Sequence, residues 1–156
     1  MNHFALIAAA ALACPVAVLG PPGAPLPASA QTIKSEPAVK RCIRPEAIDG
    51  DTIRCGRKGY RAAHRLLGID APELPGHCRT GRECAPGDPV ASREALAAAI
   101  KDGATVQSFG TDLYGRKLSI VRTKDGANAS CLQLKAGQAI FKPAWDKGRR
   151  IARECQ

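Results

Sequence analysis

Short β-compatible runs, each ended by glycine or proline within a few residues, constrain the fold of this chain more than any other feature. Two such runs between residues 41 and 57 flank Asp49-Gly50, a dipeptide suited to a tight hairpin turn because both residues tolerate positive φ. Residues 60–68, 104–109 and 117–122 are predicted as three further strands. The pattern indicates a mainly β domain with five short strands.

Three helices are predicted among and after these strands. Asp88 followed by Pro89 is a favourable N-cap and first-turn pair, and the Ala-rich run that follows ends at Asp102-Gly103. Shorter helices are predicted near residues 128–136 and 144–154. Three strands, a helix, two strands and two helices suit a five-stranded Greek-key barrel of the OB-fold type.

The first thirty residues have the pattern of a signal peptide. They contain no Lys, Arg, Asp or Glu, and their apolar run over residues 4–19 is shorter than the roughly 20 residues of a membrane span. Ala28-Ser29-Ala30 matches an A-x-A cleavage site. A membrane anchor and a lipoprotein signal at Cys14 are the alternatives. We expect an exported protein, periplasmic or secreted, with a flexible lead-in over residues 31–39 and one domain over residues 40–156.

The cysteines suggest disulfides. Removal of the leader with Cys14 leaves six of the seven cysteines, and small exported domains commonly oxidise such residues. Six cysteines allow fifteen pairings, and the sequence alone does not select one. Their positions favour a pair flanking the predicted hairpin, a pair closing a short loop and a pair on the last two helices: Cys42–Cys55, Cys78–Cys84 and Cys131–Cys155. A zinc site at His77, Cys78 and Cys84 is disfavoured because the spacing lacks a C-x-x-C knuckle.

The charge balance points to a polyanionic partner. Lys and Arg total 23 and Asp and Glu total 14, which gives a net charge of +9. A small basic protein attracts nucleic acid, anionic lipid or acidic polysaccharide through its overall field. No strong basic amphipathic helix supports the lipid alternative.

Three charged segments interrupt the apolar strands: Asp49–Thr52, Arg65–Glu73 and Asp112–Arg116. Phosphodiester hydrolysis requires a positioned water, a base to deprotonate it and positive charge around the phosphorus. Asp51 and Asp70 are hard oxygen donors suited to Ca²⁺, and Glu73 is a candidate base. Arg65 and Arg116 carry the planar fork that binds phosphate through two parallel hydrogen bonds.

Together these segments resemble the staphylococcal nuclease (thermonuclease-like) family. The family has a D-G-D-T hairpin, an R-L-x-G-[IV]-D-x-P-E segment and a D-x-Y-G-R turn, and this chain has all three in the same order. The resemblance spans about residues 40–154. It implies a calcium-dependent nuclease that cleaves DNA and RNA and leaves 3′-phosphate ends. We also expect a monomer with no stable membrane association after cleavage of the leader.

The same resemblance implies roles for individual residues. Asp51, Asp70 and the backbone carbonyl of Ala71 would ligate Ca²⁺, and Asp49 would support them without binding the ion. Glu73 would be the general base.

Arg65 and Arg116 would complete the catalytic set by binding the scissile phosphate, and Tyr114 matches the family tyrosine near the 3′ side of the nucleotide. The chain departs from the family pattern at Leu113, where a basic residue is frequent, in lacking a tyrosine close to Phe141, and in its Cys78–Cys84 loop. The alternative function is a non-catalytic nucleic-acid-binding module of the same family. Leu132 and Trp145 are predicted to be core or helix-packing residues, together with Leu134, Ile140 and Ile151.

Overall fold

The computed structural model describes residues 35–155. The predicted signal peptide, with Cys14, and residues 31–34 of the predicted lead-in lie outside the described residues. Residues 35–38 have no regular secondary structure, and the first strand begins at Val39.

Six strands form one sheet in the spatial order β1-β6-β7-β4-β3-β2, and two strands form a second sheet, β5-β8. Every pairing is antiparallel except that of β4 with β7. The strand bounds are β1 Val39–Cys42, β2 Glu46–Ala47, β3 Thr52–Arg57, β4 Tyr60–Leu66, β5 Ile69–Asp70, β6 Ala104–Thr111, β7 Lys117–Thr123 and β8 Ile140–Phe141.

The large sheet is curled, because its two ends approach each other. Cys42 ends β1, Cys55 lies in β3, and their disulfide holds the two Cα atoms 5.0 Å apart although β6, β7 and β4 separate the strands in the sheet. The backbone N–H of Gly56 also donates to the carbonyl of Ile43 at 2.7 Å. The result is a mainly β, barrel-like domain.

Three α-helices accompany the sheet: α1 Pro89–Ile100, α2 Ala129–Lys135 and α3 Arg150–Glu154. The α1 helix begins where Oδ1 of Asp88 accepts the backbone N–H groups of Val90 and Ala91. Its fully buried Leu96 and Ile100 pack in the main core, and each stabilises the fold by about 1.5–3 kcal/mol.

A buried amide joins the helices to the hairpin turn. Nε2 of Gln133 on α2 donates to the carbonyl of Gly50 at 2.7 Å and to that of Ser92 on α1 at 3.0 Å. A Cβ at position 50 would overlap the Ser92 side chain, so glycine is required there for close packing. Contacts with α1 and with α2 therefore fix the turn that leads into Asp51.

The predicted elements are largely confirmed. The hairpin around Asp49-Gly50, the strands in the three later regions and the first two helices occur where expected. The described residues contain eight strands rather than five. One extra strand arises because the first predicted run divides into β1 and β2 at Arg44-Pro45, where Arg44 has φ of 50°. The other two, β5 and β8, have only two residues each and were not predicted.

The last helix is shorter than predicted. Two 3-10 turns, Pro143–Trp145 and Lys147–Arg149, precede α3, since Gly148 and Arg149 both have positive φ. The three hypothesised disulfides are confirmed, which excludes Cys78 and Cys84 as zinc ligands in this state. Disulfides are typical of an oxidising, extracellular environment. Across residues 35–155, no helix has the length and apolar character needed to cross a membrane.

The core prediction is confirmed for Ile151, which is fully buried. The core consists of two clusters of buried apolar residues, and Leu134 is partly buried against both of them. It is wrong for Leu132 and Trp145, which are 37% and 38% exposed. Ile140 lies between these extremes.

Candidate functional site

The sheet register brings the first two charged segments together. Thr52 at the start of β3 pairs with Arg65 near the end of β4, and the backbone N–H of Leu66 donates to the carbonyl of Asp51 at 2.8 Å. After a turn at Gly68, β5 places Asp70 beside them. Antiparallel pairing thus brings Asp51 and Asp70, which are nineteen residues apart along the chain, into a single cluster.

Arg65 bridges the two aspartates. Its Nη1 lies 2.6 Å from Oδ1 of Asp51, and its Nη2 lies 3.1 Å from Oδ1 of Asp70. All three side chains are buried. Because an unpaired buried charge is strongly destabilising, these contacts hold the guanidinium and both carboxylates in fixed positions.

The carboxylates of Asp51 and Asp70 differ in their hydrogen bonds. Oδ2 of Asp51 accepts the backbone N–H of Ala71 at 2.9 Å, whereas Oδ2 of Asp70 is buried and has no hydrogen-bond donor among the described residues. The pKa of Asp51 is raised to about 7, chiefly by burial; Arg65 opposes this rise, and nearby Asp49 contributes to it. An excess of buried carboxylate oxygen over donors is the environment that a cation stabilises.

Glu73 lies at the edge of this cluster and contacts an arginine that the sequence did not single out. Nη1 of Arg82 is 3.0 Å from Oε1 of Glu73, and Nη2 of Arg82 is 2.6 Å from Oδ1 of Asp70. Glu73 is half-buried, so water reaches its carboxylate. Arg82 belongs to the loop closed by the Cys78–Cys84 disulfide.

The turn between β6 and β7 positions Arg116. Oδ1 of Asp112 accepts the backbone N–H groups of Tyr114 and Arg116, both at 2.9 Å, and its Oδ2 accepts Nε of Arg116 at 2.7 Å. These hydrogen bonds lower the pKa of Asp112, against the opposing effect of burial. Nη1 of Arg116 then reaches Oγ1 of Thr52 at 3.5 Å, next to Asp51.

The three residues predicted to be catalytic line one open cavity of about 230 Å³. Its other lining residues are His77, Arg79, Arg82 and Tyr114. An adjoining cavity of about 350 Å³ shares the arginines and Tyr114 and adds Trp145 and Lys147. A larger cavity, of about 630 Å³, is lined mainly by residues of β1, β3, β4 and β6, with Lys117 of β7. No carboxylate and none of the predicted site residues lines it.

Asp49 and Tyr114 also occupy positions consistent with supporting roles. Oδ1 of Asp49 accepts the backbone N–H of Asp51 at 3.0 Å. Tyr114 is 59% exposed, and its ring lies under the guanidinium of Arg116 at 5.3 Å. The backbone N–H of Ala71 donates to Oδ2 of Asp51, so Ala71 lies beside the two aspartates. Within residues 35–155, no cluster of three or more His, Cys, Asp or Glu side chains could hold a metal ion.

Sequence reasoning missed Arg79, Arg82 and Trp145. The rings of Tyr114 and Trp145 contact Arg79 and Arg82 respectively, at 4.9 Å and 5.5 Å. A disulfide that closes a loop soon after Glu73 was the signal that could have identified the two arginines, since such a loop cannot move far from the site.

The chain matches no protein-family model, and no curated protein matches it significantly.

Proposed function

We propose that the protein is an exported, calcium-dependent nuclease that resembles staphylococcal nuclease. It hydrolyses phosphodiester bonds in DNA and RNA and leaves 3′-phosphate ends. The observation that carries this proposal is that Arg65, Glu73 and Arg116 line one cavity, beside two aspartates bridged by Arg65. A general base, two guanidinium groups and paired carboxylates are what this hydrolysis requires.

The arginines bind and stabilise the phosphate. Arg116 is held by Asp112 through Nε, which leaves its outer nitrogens directed into the cavity near Thr52. Arg65 is fixed by two carboxylates and lines the same cavity. As negative charge gathers on the phosphate oxygens in the transition state, preorganised guanidinium groups stabilise it without having to reorient.

Glu73 is the general base. It accepts the proton of a water molecule as the water oxygen attacks phosphorus. The bond between phosphorus and the 5′ oxygen breaks, and the leaving oxygen takes up a proton from solvent. Glu73 is half-buried at the rim of the cavity, so both water and the phosphate reach it.

Asp51 and Asp70 would hold Ca²⁺, together with the carbonyl of Ala71. The fit is supported by the buried, donor-free Oδ2 of Asp70 and by the raised pKa of Asp51, since a cation stabilises both ionised carboxylates. When bound, the ion would neutralise charge on a phosphate oxygen and lower the pKa of its water. Because only two side chains would bind the ion, carbonyl, water and substrate oxygens would fill its remaining coordination positions.

Other features support the rest of the proposal. The three disulfides favour an exported protein, and the net charge of +9 favours a polyanionic substrate. The curled sheet, closed by the Cys42–Cys55 disulfide, is compatible with a barrel of the OB-fold type, in which the loops at one end bind nucleic acid.

Hydrolysis of single-stranded DNA and RNA by the purified secreted protein tests the proposal. We expect cleavage with Ca²⁺, none in excess chelator, and a loss of at least about 100-fold in Glu73→Gln. Glu94→Gln, which removes the same charge from the exposed face of α1, is the matched control and should retain activity. Binding without cleavage under every condition would indicate the alternative function, a non-catalytic nucleic-acid-binding module.

A further inference from the structure

The loop closed by the Cys78–Cys84 disulfide brings two additional arginines to the site. It follows Glu73 along the chain, and Arg79 and Arg82 both line the cavity that holds Arg65 and Arg116. The two arginines have different environments.

Arg82 lies at the Trp145 end of the site. Its guanidinium contacts Asp70 and Glu73 through two of its five N–H donors, so the others remain available to a ligand. The ring of Trp145 lies 5.5 Å from this guanidinium and 5.1 Å from that of Arg65. Trp145 thus positions two arginines over one half-exposed aromatic surface.

Arg79 lies at the Tyr114 end. The Tyr114 ring is 4.9 Å from the Arg79 guanidinium and 5.3 Å from that of Arg116. Unlike Arg65, Arg82 and Arg116, Arg79 forms no ion pair with any carboxylate among residues 35–155. Its charge is therefore free to bind an anion.

More arginines line the cavity than one phosphodiester requires, although all of them except Arg79 pair with carboxylates among residues 35–155. Four arginines line it, against a single carboxylate, that of Glu73. A phosphodiester carries one negative charge, and Arg65 and Arg116 already supply two guanidinium groups. Single-stranded polynucleotides present further phosphates along the chain, together with bases that stack on aromatic rings.

We propose that the Cys78–Cys84 loop forms one wall of the substrate groove, and that Arg79 and Arg82 bind phosphates adjacent to the scissile one. This inference rests on the proposed function and assigns the loop to substrate binding. Arg79 reaches a phosphate on the Tyr114 side and Arg82 one on the Trp145 side. The disulfide keeps both guanidinium groups over the site.

Equilibrium binding in excess chelator tests the loop separately from catalysis. Fluorescence anisotropy of a labelled single-stranded oligonucleotide is measured at salt concentrations from about 50 to about 200 mM. Over this range, contacts with phosphates make the affinity depend strongly on salt. We compare wild type, Arg79→Gln, Arg79→Gln/Arg82→Gln and Arg57→Gln, which removes an arginine from the exposed tip of the β3–β4 hairpin.

Removing one arginine that binds a phosphate should reduce the slope of log K against log salt by about 0.7, and the double variant should reduce it by about twice that. Arg57→Gln should keep the wild-type slope. Arg79 has no ion pair within residues 35–155, so its variant remains informative if removal of Arg82 from Asp70 destabilises the protein. The conservative Arg82→Lys variant, which keeps the charge, should keep the wild-type slope.

Wild-type slopes in Arg79→Gln and in the double variant would overturn the inference. If wild type cleaves DNA while these slopes are unchanged, the inference fails and the proposed function stands. If wild type neither binds nor cleaves the oligonucleotide, the proposed function fails, and the inference fails with it.

Discussion

Nη2 of Arg65 lies 3.1 Å from Oδ1 of Asp70, and the other oxygen of this fully buried carboxylate has no hydrogen-bond donor among the described residues. A buried carboxylate of this kind gains more from a cation than an exposed one does, because solvent does not already satisfy it. The same contact makes Arg65 a structural residue as well as a phosphate ligand.

Calcium should therefore raise the melting temperature of the wild type. At a calcium concentration about 100 times Kd, the expected stabilisation is about 2.7 kcal/mol. Asp70→Asn should lose this calcium-dependent shift. Asp102→Asn, which alters an exposed aspartate after α1, should keep it. The measurement is thermal unfolding followed by circular dichroism, with Ca²⁺ and with chelator. An equal calcium shift in Asp70→Asn would contradict the assignment of the ligand.

Arg116→Lys should lower kcat/KM by about 100-fold, or about 2.7 kcal/mol of transition-state stabilisation. Lysine keeps the charge but not the fork, and it cannot both pair with Asp112 and bind two phosphate oxygens. Steady-state hydrolysis of single-stranded DNA measures the effect. Because Arg116 is only half-buried, the free energy of unfolding should change by less than about 1 kcal/mol. Arg57→Lys is the control at an exposed arginine, and comparable activity in both variants would remove Arg116 from the phosphate site.

Glu154 makes stability depend on pH. Hydrogen bonds from Arg122, and also from Asn128, lower its pKa below 4.5, although burial opposes the shift. A carboxyl whose pKa is lowered in the folded state stabilises the fold above the unfolded pKa, and this contribution is lost as pH falls through the folded pKa. Glu154→Gln should therefore be less stable than wild type at pH 7, by at most about 1 kcal/mol, because the Arg122 and Glu154 side chains are 37% and 33% exposed and solvent screens the pair.

Urea denaturation at pH 7, 5 and 3 measures this difference, which should shrink as the pH falls, because protons bind Glu154 first in the unfolded state and only at lower pH in the folded state. Glu83→Gln, at an exposed glutamate in the disulfide-closed loop, is the control and should show no such trend. A difference that stays constant from pH 7 to 3 would show that the carboxylate charge is not the cause.

Local signals predicted most elements of the fold, but contacts between distant residues were harder to predict. Asp88-Pro89 and Asp49-Gly50 mark a helix start and a turn through their own backbone preferences. The pairing of β5 with β8 joins two-residue strands about seventy residues apart, and no short pattern encodes it.

In the candidate site, too, local signals were easier to predict than contacts between distant residues. Arg65 and Arg116 stand out in sequence because charged residues interrupt apolar strands. Arg82 lies in an irregular loop, and its role depends on how that loop folds back onto Asp70. Trp145 was predicted to be a core or helix-packing residue because of its apolar character, but the 3-10 turn that contains it leaves its ring partly exposed, against two arginines.

Removing single disulfides should separate substrate binding from stability. The Cys78–Cys84 bridge closes a short loop and Cys131–Cys155 a longer one, with sequence separations of 6 and 24. Loop-closure entropy gives costs of about 2 and about 3.5 kcal/mol for replacing each pair by serine. Only Cys78→Ser/Cys84→Ser should weaken oligonucleotide binding and its salt dependence, because only this loop carries Arg79 and Arg82. Chemical denaturation and anisotropy measure the two properties, and weaker binding in Cys131→Ser/Cys155→Ser alone would locate the binding surface away from the loop.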